Sequence, residues 1–417
     1  MELDYVFRKI RGLISHQDVL FMLDQVKIPN PLRSFVFLQT IQDNINGDNP
    51  NYTKPQGYET VRYPLSGLVG PNDIAATKAH NKKFPDYKKN VKTLNENVLA
   101  WLNSKIVVQG KTILTHVAQK YRDCLDAPNY TVFSNTTSAA EWNTNVVDGS
   151  KPVVPLESPH NSIHLSVGGC EVPGYNRSPI DGANGDMGEN DTAGLDPIFF
   201  FHHCHVDRMF WLWQKKHGFT DHLEVIPEYP GTNSVDNQGP TPGIVPNSWL
   251  TLETPLNPFK KIEKGNERTY TSLDCINIEN QFGFTYSKGS LDEVFAKGMA
   301  AAREPSMRMV RISKINRAPI RGSFMVSAFA NIGGERYLLG IEAVLSRWSV
   351  KYCANCQTHL EVKAYFGLHG LSEIHQDDVE VAIRTRDGVI TTPGQNAASA
   401  MVAGLQPGKK LFHLEVR

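Results

Sequence analysis

The hydrophobic spacing changes period partway along this chain, and that change limits what it can fold into. Before about residue 290 apolar residues recur every three or four positions. Val91, Leu94, Val98 and Leu102 predict an amphipathic helix over 86–105, and Leu114, Val117 and Tyr121 predict another over 112–125. Val6, Ile10, Ile14 and Leu20 form a rougher stripe that predicts a helix over 1–25, followed by Pro29, Pro31 and an Asn/Gly/Pro-rich loop over 44–58. Asp196-Pro197 predicts a further helix start, with Asp as N-cap and Pro in the first helical position, running to about His217 and stopping before Gly218. After about residue 300 the pattern turns to alternation and β-branched residues over 307–315, 323–331, 336–344, 359–366, 379–386 and 410–417. Val379, Val381 and Ile383 face one way, Glu380, Ala382 and Arg384 the other, and Asp387-Gly388 is a turn signal just beyond. Six short strands separated by turn residues predict a β-sandwich or barrel. The chain therefore reads as multidomain: a mostly α-helical domain over 1–290 and a C-terminal β domain over 305–417, joined by the Gly/Lys/Ser/Glu-rich stretch 287–305.

Size and charge narrow the function. At about 150 residues per domain, 417 residues suggest two or three units. Lys plus Arg and Asp plus Glu are both 43, so there is no basic excess for nucleic acid. No stretch reaches the ~18–20 apolar residues of a membrane span, and the first residues mix both charge signs without a long apolar run. The expectation is a cytoplasmic protein with no nucleic-acid or membrane partner. Six cysteines are too few for a disulfide scaffold.

Histidine is unevenly spread: of 14, five fall between residues 160 and 205. His160 and His164 stand at i and i+4, which on a helix puts two imidazoles on one face. A third ligand must come from elsewhere, and the helix after Asp196 offers His202, His203 and His205. Two histidines at this spacing are more often satisfied core or surface groups. Three in four residues beside a phenylalanine run shift the balance toward a metal site, and imidazole suits Cu, Zn, Fe or Ni.

The string from Asp196 to Arg208, preceded by His160-Asn-Ser-Ile-His164, resembles the second copper-binding half of tyrosinases and related type-3 copper proteins. The family signature is Asp-Pro-x-Phe-aromatic, two residues, a ligand His, three residues, Asp; here it reads Asp196, Pro197, Phe199, Phe200, His203 and Asp207 without a gap. Asn184, Met187 and Gly188 resemble the Gly/Met loop before that helix, and Phe284-Thr285-Tyr286 the aromatic-x-Tyr motif that closes the catalytic domain. The β domain with Cys353-x-x-Cys356 is similar to the C-terminal domain of fungal pro-tyrosinases, and fungal members look closest.

Carried over by position, the resemblance implies copper B ligands His160, His164 and His203. It implies that Asn161 and Glu157 hold a water or orient a phenol, a role suited to helping deprotonate a substrate. Glu157 also reads as an ordinary helix N-terminal acid. Asp207 either orients a neighbour or pairs with a base such as Arg208. His202 and His205 read as structural hydrogen-bonding groups, and Phe199, Phe200 and Trp211 as core. The resemblance also implies copper loading by Cys353 and Cys356, shielding of the site by the β domain, and Leu345 or Trp348 as its placeholder side chain.

The family's first copper half is not found. Before His160 stand only His16, His80 and His116, none in an aromatic-His-Arg context. Residues 28–33 resemble family sequence that follows the copper A region, so the join near 24–27 reads as a deletion of the copper A helices. The family implies two coppers, and this chain supplies the ligands of one. The first reading is a tyrosinase that hydroxylates monophenols and oxidises o-diphenols to o-quinones with O2, with room for a homo-oligomer. The alternatives are haemocyanin-like oxygen binding, or a non-catalytic truncated isoform that keeps only the copper B half-site.

Overall fold

The computed structural model describes residues 35–41, 53–68, 72–108, 111–114, 117–145, 151–175, 178–234, 244–245, 247–286, 308–348, 360–368, 371, 373–392 and 412–417. The expected helix over 1–25, the join near 24–27, the stretch 287–305 and the Cys353/Cys356 pair lie outside them.

The first part of the chain is largely helical. Its helices are α1 (Ile74–Asn81), α2 (Tyr87–Asn103), α3 (Val117–Cys124), α4 (Tyr130–Ser134), α5 (Thr136–Asn145), α6 (Glu157–Gly168), α7 (Ile198–His217) and α8 (Ile278–Phe282). The stripe over 86–105 is α2, whose N-cap Asp86 accepts from the Lys89 N–H. The helix expected over 112–125 is shorter. β1 (Lys105–Val108) and β2 (Lys111–Leu114) pair as an antiparallel hairpin ahead of α3. Ile106, Val107, Val108, Thr112 and Ile113 are β-branched, and in so short a run that preference outweighs the helical spacing. A second unexpected hairpin joins β3 (Pro255–Glu263) to β4 (Asn266–Thr271). Its two-residue loop, Lys264-Gly265, has φ values of 51° and 80°, the left-handed pair that suits the strand twist.

The six expected C-terminal strands are present as β5 (Met309–Asn316), β6 (Phe324–Ile332), β7 (Glu335–Val344), β8 (Glu361–Gly367), β9 (Val379–Thr385) and β11 (His413–Val416). β10 (Gly388–Thr392) is additional and hairpins back onto β9. They form two antiparallel sheets, ordered β10-β9-β6-β7 and β11-β5-β8. The sheets do not close into a barrel. They face each other across a core of Val310, Ile312, Phe324, Val326, Phe366, Val381 and Ile383, among others.

The four-stranded sheet is buried on both faces. Along β6, Phe324, Val326 and Ala328 point to the other sheet, whereas Met325 and Phe329 join the helical core with Trp101, Tyr121 and Trp213. Period-two alternation thus divides one strand between two cores, each buried large side chain contributing roughly 1.5–3 kcal/mol. Polar contacts reinforce the seam. Glu342 on β7 accepts from Lys120 on α3 at 2.8 Å and from Ser158 on α6 at 2.9 Å. Trp348 donates to Asp73 at 2.9 Å. No described helix is long and apolar enough to cross a membrane.

Two buried carboxylates fix the segments around α7. Asp196 accepts a two-pronged pair from Arg62, Nε to Oδ2 at 2.6 Å and Nη2 to Oδ1 at 2.7 Å. Its Oδ1 also accepts from the Ile198 N–H at 2.9 Å, so Asp196 caps the helix start while Pro197 occupies the boundary position. At the far end Gly218 adopts φ 74° and stops the helix. Removing Arg62 leaves that carboxylate buried without its counter-charge, so Arg62→Ala should cost ~3–5 kcal/mol in denaturant unfolding; a change within error would show that the pair does not anchor α7.

Glu189 is the second. Its Oε1 accepts from Asn184 at 2.9 Å and its Oε2 is buried without a partner. Burial pushes its carboxyl up to about 8. The folded state then binds more protons than the unfolded one between the ordinary value of 4.5 and about 8. This contribution is complete below that window and lost as pH rises through it. Glu189→Gln should flatten that decline and be more stable than the parent above pH 8 by roughly 1–3 kcal/mol. Parallel stability–pH curves for the two proteins would contradict this.

Candidate metal centre

The centre forms where α6 passes α7. His160 and His164 lie one turn apart on α6, and His202 and His203 come from the second turn of α7. The end of α6 is pressed against the loop after residue 184. A Cβ at Gly168 would lie 2.0 Å from the Gly188 nitrogen, so only glycine permits that approach. The approach brings the Met187 carbonyl to the His164 ring.

Each ring is oriented by a neighbour. His164 Nδ1 donates to the Met187 carbonyl at 2.8 Å, and His203 Nδ1 to the Phe199 carbonyl at 2.6 Å. His160 Nδ1 lies 2.9 Å from Asn161 Oδ1 and donates to it. With the proton fixed on Nδ1, each Nε2 carries a lone pair. His160 Nε2 and His203 Nε2 stand 3.1 Å apart. His164 Nε2 is buried with no hydrogen-bond partner. Two lone pairs at that distance repel unless a proton or cation lies between them, and an orphaned buried acceptor adds to the demand. Neutral imidazoles clustered this way fit a transition-metal ion such as copper.

Burial favours the neutral form of His160, His164 and His202. It lowers the His160 and His202 pKa values and takes His164 down to about 3, with neighbouring imidazoles adding to the fall. The nitrogens of His160 and His164 therefore do not need to shed protons near neutral pH to bind a metal.

His202 also approaches. One nitrogen each from His160, His164 and His202 can be chosen so that all three lie within 4.8 Å. Its Nε2, however, is 3.2 Å from the His160 carbonyl and donates to it. Its ring stacks on His160 with centroids 5.0 Å apart, a packing role matching its expected hydrogen-bonding one. Proximity thus groups His202 with His160 and His164, whereas His203 is the ring whose Nε2 meets His160 Nε2.

The other predicted residues fall as follows. Asn161 is buried against His160. Glu157 Oε2 accepts from the N–H and hydroxyl of Thr136 at 2.7 and 2.8 Å, capping the start of α5. Asp207 accepts from the Tyr286 hydroxyl, so the aromatic-x-Tyr segment is fastened to α7. His205 packs edge-on against Tyr121 at 4.8 Å. Trp211 is buried as expected, but Phe200 is 61% exposed, which corrects its reading as core. His80 is tied to the Pro64 carbonyl at 2.8 Å, 5% exposed, and His16 and His116 lie outside the described residues. Sequence reasoning missed the carbonyls of Met187 and Phe199, because backbone acceptors leave no residue-type signal.

A helical core with a cluster of imidazoles, backed by two antiparallel sheets, is the architecture of a transition-metal protein. Residues 14–216 match the common central domain of tyrosinase. The chain is 52% identical over 378 residues to tyrosinase HcTyr2 of a Hahella species, covering 86% of this chain and 67% of that protein. It is 45% identical over 376 residues to a tyrosinase of Aspergillus oryzae, covering 84% and 68%. Among solved structures, a tyrosinase from Burkholderia thailandensis at low pH superposes with a TM-score of 0.71 at 51% identity, covering 86% of this chain and 69% of that one. The chain belongs to the tyrosinase family and is a tyrosinase-type copper oxidoreductase. The relatives thus include both bacterial and fungal tyrosinases. Identity this high over most of the chain does not favour the oxygen-carrier or non-catalytic readings.

Because Asn161 accepts from His160 Nδ1, Asn161→Ala should weaken copper binding by about 10–100-fold. Competition titration against a chelator measures this; unchanged affinity would remove Asn161 from that role.

Proposed function

We propose that the chain holds copper B through His160, His164 and His203 and oxidises phenols there with O2, monophenols to o-diphenols and these to o-quinones. The observation that carries the reading is the meeting of His160 Nε2 and His203 Nε2 at 3.1 Å, with the His164 ring, whose Nε2 is buried without a partner, 4.6 and 5.6 Å from those two rings. Copper bound there would supply one-electron redox chemistry and a Lewis-acidic seat for the phenol oxygen.

The protein's own residues bind, orient and shelter. The Nδ1 partners keep the donor nitrogens aimed inward and in the right tautomer. Glu157 and Asn161 are one helical turn apart on α6, so one face of the helix presents a carboxylate and an amide beside the metal. In this reading they position a water or the phenol and take its proton, while Thr136 holds the carboxylate in place.

The same proposal treats 1–290 and 305–417 as catalytic and shielding units. Its support is that Glu342 on β7 reaches Ser158 in the first turn of α6. Arg317, just after β5, is half-buried; burial lowers its pKa and the nearby Glu157 carboxylate partly opposes that fall. Copper loading by Cys353 and Cys356 and a cytoplasmic setting complete the proposal.

His203→Ala should lose tight copper binding, whereas His202→Ala should keep one copper per chain after dialysis; the reverse pattern would transfer the third ligand to His202. Glu157→Gln should lower monophenol hydroxylation by roughly 10²–10⁴-fold and spare diphenol oxidation. Equal losses on both substrates would reduce Glu157 to its capping role.

A further inference from the structure

Away from the imidazoles, a cleft of about 150 Å3 opens at the seam between helices and sheets. α3 and α5 bound it on one side, the strap over 152–155 on another, and β7 and β8 on the third. It reaches α6 at Ser158. Ser158 precedes His160 by two residues, about 200° around the helix, so the cleft and the imidazoles lie on different faces of α6. The walls are fastened together. Asn143 of α5 donates to the Val153 carbonyl at 2.9 Å and accepts from the Val153 N–H at 2.8 Å, which holds the strap. The Tyr365 hydroxyl of β8 donates to the Ala140 carbonyl at 2.9 Å and lies 2.9 Å from the Thr144 hydroxyl, which holds the strand. The cleft is therefore a fixed feature of the seam.

Four charged side chains line the cleft. Lys120 pairs with Glu342 at 2.8 Å and Asp123 with Lys151 at 2.6 Å, so three of the four are neutralised. Lys363 is the fourth. Along β8, Val362, Ala364 and Phe366 enter the core between the sheets, so Lys363 and Tyr365 share the opposite face, toward α5. Lys363 is half-buried, and no hydrogen bond or ion pair takes its ammonium among the described residues. A partly desolvated cation without a counter-charge is unfavourable. The remaining walls are largely apolar, from Ala139 and Ala140 to Val153 and Val154. A cavity of about 150 Å3 with apolar walls accommodates a single benzene ring.

We propose that this cleft binds a one-ring aromatic carboxylate, with the ring against the apolar walls and the carboxylate on Lys363. The volume sets the ring count, since a fused second ring exceeds it. The charge sets the head group. A monoanion neutralises Lys363 and leaves the Lys120–Glu342 and Asp123–Lys151 pairs intact, whereas a cationic ligand meets a second cation there. A short aliphatic acid satisfies the charge and leaves the apolar walls in water. The site is separate from any phenol seat at the metal centre.

Calorimetric and fluorine NMR titrations of the full chain with 4-fluorobenzoate test this. The parent protein should bind it saturably, and one equivalent should survive His203→Ala, which disables the imidazole centre. Lys363→Met keeps the apolar stem and removes the charge. It should melt like the parent and weaken that equivalent by about 10–100-fold. Neutral 4-fluorobenzyl alcohol should bind the parent more weakly than the carboxylate by a similar factor, which reads the same charge without altering the cleft. Acetate should not compete at equal concentration. No saturable binding overturns the proposal. Binding that His203→Ala abolishes and Lys363→Met spares places the anion at the imidazoles and also overturns it. So does equal affinity for the alcohol and the carboxylate, or acetate that competes as well as the aromatic acid.

Discussion

The buried carboxylate of Asp196 sets the position of almost everything the site needs. It meets Arg62 through two hydrogen bonds and caps the first turn of α7. Because a helix is a rigid ruler, fixing its first residue fixes His202 and His203 a turn later. The Phe199 carbonyl that orients His203 belongs to the same turn. Removed from water, the ion pair tolerates little misplacement, since a lost partner would leave an uncompensated charge. The neighbouring network of Lys54, Tyr58 and Asp186 is built alike: Lys54 lies 3.4 Å from Asp186, and Tyr58 donates to it at 3.0 Å. It holds the 3-10 turn over Asp186–Gly188, whose Met187 carbonyl orients His164.

The C-terminal sheets work from the other side. β6 gives alternate residues to two cores, so the sheets cannot be peeled from the helices without exposing Met325 and Phe329. Glu342 gathers Lys120 and Ser158 at the start of α6, and that helix carries two of the converging imidazoles. Shape and polarity at this seam thus position α6, as Asp196 positions α7.

Much of this was legible in the sequence, for physical reasons. Period-two alternation is strong where a strand is buried on one or both faces, so Val379, Val381 and Ile383 announced β9. The Asp-Pro start and Gly218 stop of α7 rest on local backbone chemistry, and they held to within a residue. The spacing of His160 and His164 gave half of the centre, while the choice between His203 and His202 depends on ring orientation, which spacing does not encode. The hairpins β1–β2 and β3–β4 were missed because four to nine residues are too few to separate helical from strand periodicity. Phe200 was misread as core because a phenylalanine in a helix carries the same signal whether its face is covered by this chain or left open.

The central proposal is that the Nε2 atoms of His160, His164 and His203 would hold one copper ion. Diffraction from copper-loaded crystals at the copper edge tests it most directly. The account predicts one anomalous peak per centre bonded to those three nitrogens at about 2.0 Å, with each Nδ1 still bonded to Asn161, Met187 and Phe199. A peak bonded to His202 in place of His203, or to any Nδ1, would contradict it.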